Sequence, residues 1–224
     1  MGKWRKFQKR AKPYMRFATK AIPIAIGAAR TAAMVASLIN SEWHSLDTSA
    51  SDTPNTAGSV VALTGTANGD GEGNRHGNTV LPKSLCTRFH IQKNASATTT
   101  FVRLMVVVDR ECDNTAPTVA EILNGVDVMS FRNVNNKGRF GVLWDKRVLL
   151  DSTYPDKYVT FNKSFNKPSK RPNPKRKWYH IYYSGTTAAV SDMRQGNVFL
   201  IMLSDESTNT PTVDYISRFK WVDN

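Results

Sequence analysis

From residue 42 onward the chain is written in short apolar segments separated by turn formers. Residues 42–48 (EWHSLDT) and 59–64 (SVVALT) read as short extended pieces, with a polar, turn-rich stretch at 49–58 between them. Residues 65–77 (GTANGDGEGNRHG) are nearly all turn formers and predict an exposed loop. A long strand follows from Thr79, with Leu81, Leu85, Phe89 and Ile91 on one face and Ser84, Cys86, Arg88 and His90 on the other. That period of two marks a half-buried strand. Residues 101–109 (FVRLMVVVD) are apolar almost throughout, which predicts a place in the middle of a sheet. Residues 115–124 suit one or two helical turns closed by Gly125. Alternation returns at 139–150, placing Phe140, Val142, Trp144, Val148 and Leu150 together, and at 158–165, with Val159, Phe161 and Phe165. Segments 178–183, 197–203 and 213–222 complete the set, the last with Val213, Tyr215, Phe219 and Trp221 in phase. Eight or nine strands without intervening crossover helices predict an all-β fold, an antiparallel sandwich or barrel, in one domain over 41–224.

Residues 1–40 have a different texture. The first thirty carry nine of the chain's basic side chains and no acid, so +9 of the +13 net charge lies there. Like charges repel, and little apolar surface precedes Ala21, so this arm is not expected to fold on itself. Cations neutralise phosphates, and aromatic rings stack on unpaired bases. Lys3, Trp4, Arg5, Lys6, Phe7, Lys9, Arg10, Lys12, Arg16 and Lys20 are therefore the candidate nucleic-acid-binding residues. A solubilising or nuclear-import tail is the plainer reading of the same run. A second basic cluster, Lys170, Arg171, Lys175, Arg176 and Lys177, is held extended by Pro168, Pro172 and Pro174; it is either a solvated loop or a secondary contact for the genome or a receptor.

Residues 21–39 form the one long apolar run, but Pro23, Gly27 and Arg30 interrupt it, and no bilayer span is expected. Cys86 and Cys112 fit neither a disulfide framework nor a zinc pattern and read as buried free thiols. The four histidines are isolated in sequence, and Asp145 and Asp151 read as surface ion-pair partners. No nucleophile, phosphate-loop or metalloprotease signature appears, so no enzyme activity, metal or cofactor is expected.

Several short runs, taken in order, resemble one family. GDGEGNRHGNTVLPKSLCTRFHI is similar to the RxGxxxxxKSL segment of coat proteins from circular single-stranded-DNA viruses, geminivirus-like and satellite-necrosis-virus-like, with Arg75, Gly77, Lys83, Ser84 and Leu85 in those positions. FVRLMVVVDRECDNTAPTVAEILN resembles the family's apolar strand followed by a short helical turn. NKGRFGVLWDKRVLLD resembles its RFxVLxDKxxxL strand, through Arg139, Phe140, Val142, Leu143, Asp145 and Lys146. The resemblance implies a single eight-stranded viral jelly roll with a basic N-terminal arm, assembling as a homo-oligomeric T=1 shell. The partner it implies is a viral genome, single-stranded DNA on this resemblance with RNA left open, and the location a virion with a nuclear stage served by host import receptors. No metal site is carried over. The rival readings are a cellular β-module that binds nucleic acid without regard to sequence, and a membrane-active protein working through residues 21–39.

Overall fold

A computed structural model describes residues 42–165 and 180–223. Ten strands, all paired antiparallel, make two sheets that face each other. The first contains β1 (Trp43–Asp52), β10 (Thr212–Asp223), β3 (Thr79–Gln92) and β6 (Asp156–Ser164), in that order. It is extended by two three-residue strands, β7 (Ile181–Tyr183) and β8 (Met193–Gln195), beside the start of β3. The second is β2 (Ser59–Ala62), β9 (Asn197–Ser204), β4 (Thr100–Asp109) and β5 (Phe140–Leu150). Leaving aside the two short strands, the eight strands pass from sheet to sheet in jelly-roll order, except that β4 and β5 follow one another in the second sheet.

The inner faces meet in one core. β3 gives Val80, Leu85, Phe89 and Ile91; β4 gives Val102, Leu104, Val106 and Val108; β10 gives Val213, Tyr215, Phe219 and Trp221. Each such side chain contributes about 1.5–3 kcal/mol when fully withdrawn from water. Aromatic stacking orders the packing, with Phe89 against Trp144 at 5.7 Å and Phe219 against Trp221 at 5.0 Å between ring centroids.

Two bulges overturn part of the expected strand phase. On β3, Lys220 pairs Ser84 but Trp221 pairs Pro82, which leaves Lys83 over. The missing N–H of Pro82 is tolerated where the ladder is already broken. One extra residue exchanges the faces, so Val80 and Pro82 are buried before the bulge and Leu85, Phe89 and Ile91 after it; Leu81 is not on the core face. On β5, Trp144 pairs Val106 and Val142 pairs Val107, so Leu143 is the extra residue. Trp144, Val148 and Leu150 thus line the inter-sheet core, whereas Phe140 and Val142 pack on the opposite face.

That opposite face is itself covered. The connection 110–139 folds back over the second sheet and buries Val119, Ile122, Leu123 and Val128 against Met105, Val107, Ile201 and Leu203. β4 and β9 are therefore buried on both sides, which is why they carry apolar residues at nearly every position. Within the connection, α1 (Val119–Ile122) begins with a capping box: Glu121 N–H donates to Thr118 Oγ1 at 3.3 Å and Thr118 N–H to Glu121 Oε2 at 2.7 Å. Cys112 is buried and Cys86 is half-buried, and neither is in a disulfide.

Candidate functional site at the start of the body

The arm residues proposed for nucleic acid, Lys3, Trp4, Arg5, Lys6, Phe7, Lys9, Arg10, Lys12, Arg16 and Lys20, lie outside the described residues, as do 21–39 and the basic cluster Lys170, Arg171, Lys175, Arg176 and Lys177. No helix among the described residues is long and apolar enough to cross a membrane. What the structure does describe is the place where residue 42 enters the first sheet, and the charged groups gathered there.

Arg75 is the organising residue of that region. Far from lying in an exposed turn, it is 0% exposed. Its Nε donates to Thr66 O at 3.1 Å and its Nη1 to Gly77 O at 2.5 Å, and Nη2 donates to Gly185 O. The guanidinium also stacks over the Tyr183 ring at 4.3 Å, and the Tyr183 hydroxyl donates to Thr64 O at 2.6 Å. Burial draws the Arg75 pKa down from its ordinary value and pushes that of the Tyr183 phenol up. Turn-forming sequence predicts backbone that must leave regular pairing. It does not say that the freed carbonyls will point at water, and here three of them converge on one cation.

The loop so held brings distant histidines together. His44, near the start of β1, donates from Nδ1 to Glu72 O at 3.3 Å. Its Nε2 lies 3.7 Å from Glu42 Oε2 and 3.5 Å from Asp223 Oδ2. His76 Nε2 is 3.5 Å from the same Glu42 oxygen, and His76 N–H donates to Asp223 Oδ2 at 2.7 Å. Buried His44 Nε2 and Asp223 Oδ1 have no hydrogen-bond partner. Ligand atoms of Glu42, His44 and His76 fall within 4.8 Å of one another, an arrangement chemically able to hold a divalent cation. The sequence hides this cluster because its members come from 42–44, 70–76 and the last residue of β10, joined by the β1–β10 ladder and by the bonds of the loop to His44 and Asp223. The described ladder begins with Trp43 opposite Val222.

The remaining motif residues are also joints. Lys83, on the bulge, places its ammonium 5.5 Å from the Trp43 ring centroid, and Leu85 is in the core. Arg139 pairs with buried Asp109 at 2.8 Å and with Glu121 at 2.9 Å, bracing both ends of the connection. Asp145 is not a surface partner: Arg103, 1% exposed, holds it bidentately at 2.9 and 2.8 Å. Burial works to raise the Asp145 carboxyl, but the hydrogen bonds and charge of Arg103 carry it below its usual range. Asp151 caps a turn, accepting from Thr153 and Tyr154 N–H. Burial, with Asp109 adding to it, pushes the Cys112 thiol up to about 11, the reverse of what a nucleophile needs.

Comparison with known proteins follows the same lines. Residues 29–224 match the family described as satellite tobacco necrosis virus coat protein. The coat protein of Maize white line mosaic Satellite virus is 25% identical over 173 residues, 75% of each chain. Among solved structures, a Broad Bean Stain Virus particle chain is 10% identical with a TM-score of 0.36, covering 79% of this chain and 84% of its own. A Cowpea Mosaic Virus empty virus-like particle chain is 10% identical with a TM-score of 0.35, covering 82% and 84%. The family match falls on the satellite-necrosis half of the resemblance seen in sequence, not on its circular-DNA half.

Proposed function

The chain belongs to the satellite tobacco necrosis virus coat protein family, and from that premise we propose that it closes into a T=1 icosahedral shell around a single-stranded genome gathered by its basic arm. A coat protein acts structurally, in the virion. The observation that carries the packaging reading is the charge asymmetry: nine cations and no acid in the first thirty residues, with four aromatic rings among them before residue 20. In a closed shell of roughly sixty copies, such arms supply roughly 540 positive charges, each able to displace a counterion from a phosphate. Tethering many arms to one polyanion raises the local concentration of bodies until individually weak contacts close cooperatively.

The genome class we propose is single-stranded RNA. The DNA genome belonged to the circular-DNA half of the resemblance and is set aside with it; the nuclear stage and the import receptors, read from the basic run as well as from that resemblance, are not carried into this reading. The Pro-spaced cluster at 170–177 is proposed as a second contact for the same strand on its composition, five cations and no acid.

The test is to purify the full chain, image it by electron microscopy and digest its contents with RNase and with DNase. Closed shells whose nucleic acid yields to RNase support the reading. Soluble monomer without particles ends it, and DNase-sensitive contents end the genome assignment. A membrane-active protein would instead remain with bilayers after carbonate washing and lose that retention when 21–39 is deleted.

A further inference from the structure

Resting on the shell reading, we infer that the turn 125–134 is a docking knob by which one copy of this chain seats on a second copy, entering the cleft beside α1. The turn is apolar and faces outward. Phe131 is 82% exposed, and Met129 and Val134 are each 64% exposed. Exposed apolar side chains in a contiguous run serve no purpose in an isolated body and mark a contact surface.

This exposure is built in. Val128 is buried in the outer cluster, and its carbonyl accepts from Arg103 Nη1 at 3.2 Å and Arg147 Nε at 3.0 Å. Ser130 O accepts from the same Arg103 nitrogen at 2.6 Å. At the base of the turn, Asn124 N–H donates to Phe131 O at 2.9 Å and Asn133 N–H to Ile122 O at 2.8 Å. The backbone turns here, with Ser130 N–H donating to Asp127 O at 3.1 Å, and with the carbonyls of 128 and 130 anchored inward Met129 and Phe131 stand exposed. An anchor held in its bound geometry loses little conformational freedom on docking, and aromatic side chains with a neighbouring arginine are the commonest such anchors.

The second copy is identified by charge. Next to Phe131 stands Arg132, 3.9 Å from Asp145 and more than half exposed. On the same connection, a cleft of about 560 Å³ is lined by Ala116 and Cys112 together with the carboxylates of Glu111, Asp113 and Glu121. Arg139 pairs with Glu121 at 2.9 Å and Arg194 with Asp113 at 2.5 Å, so Glu111 is the carboxylate of the lining in no ion pair among the described residues. A knob with an apolar tip and a cationic shoulder thus has its complement on another molecule of the same sequence. The knob is pinned to its own sheet, so the cleft is filled by a copy related through a rotation axis. Such a head-to-tail contact closes into a ring, as a point-group shell requires.

The experiment compares full-length wild type with Phe131→Asp, Arg132→Glu, and Arg132→Glu combined with Glu111→Arg, each allowed to assemble with single-stranded RNA. Folding is read by thermal unfolding and assembly by sedimentation velocity. Phe131→Asp is expected to stay folded and to raise the protein concentration for half-assembly at least tenfold. Arg132→Glu is expected to raise it several-fold, and the added Glu111→Arg to restore it. If Phe131→Asp assembles like wild type, or if the double change fails to rescue while both chains stay folded, the knob is not the contact and the shell reading survives. If wild type itself gives no particles, the shell reading fails and the docking inference with it.

Discussion

Two loops of this molecule reverse their apparent natures. Residues 65–77 are polar and glycine-rich, yet they wrap a fully buried arginine; residues 125–134 hold Val126, Val128, Met129, Phe131 and Val134, yet they carry the most exposed phenylalanine in the body. Both are held by the same device, a buried guanidinium collecting backbone carbonyls. Arg75 takes those of Thr66, Gly77 and Gly185, and Arg103 takes those of Val128 and Ser130. Where a loop sits is decided by what satisfies its carbonyls, and its side chains are then free to serve another purpose. The loops differ in one respect. Arg103 has a carboxylate in hydrogen-bond contact, Asp145, whereas the groups bonded to Arg75 Nε and to its two terminal nitrogens are carbonyls and the Asn78 amide oxygen.

That difference can be put under load. The largest effect is expected from Arg75→Met, which leaves three carbonyls facing a methionine: a loss of about 3–5 kcal/mol in denaturant unfolding, with Arg75→Lys giving little rescue because an ammonium cannot span the same fork. Arg103→Met is expected to cost about 2–4 kcal/mol, since it strands Asp145. Adding Asp145→Leu should recover part of that loss, a coupling readable in a double-mutant cycle and without counterpart at Arg75. A pH series sharpens the same contrast. Asp145 and Glu121 are both held below their usual values, Glu121 first by the Thr118 N–H bond and by Arg139 behind it. Their contribution is complete above the ordinary carboxylate range near pH 4 and is lost as the pH falls through the depressed values. Arg103→Met should therefore flatten the acid limb of the stability curve, while Arg75→Met changes its slope less, since Arg75 only adds to the Thr187 bonds that hold the Asp192 carboxyl down. Thr118→Ala, removing the cap of α1, should cost about 1 kcal/mol. The smallest effect is expected at Phe131→Ser, within about 0.5 kcal/mol in the unassembled chain.

The alternation of apolar positions made the strands legible, along with the all-β class and the short helical turn at α1. Parity failed at two places for one reason. A bulge adds a residue without changing the apolar count, so Leu81 and Val142 keep their period in sequence and change faces in space. Arg75 was legible as a motif member but not as a buried one, and Arg103 was not legible at all, because burial of a guanidinium depends on carbonyls up to 110 positions away, as with Gly185. The cluster of His44 and His76 with Glu42 depends likewise on pairing between the first and last strands. The arm's chemistry, by contrast, is entirely a matter of composition and needs no fold to be read.

The ladder between β1 and β10 sets an order of events during synthesis. Trp43 pairs Val222, and β10 is also the strand that joins β1 to β3. With contacts so remote along the chain, closure of the first sheet is slow and cannot begin until β10 has left the ribosome. Until then the place between β1 and β3 stands empty, and the two halves of that sheet share no edge.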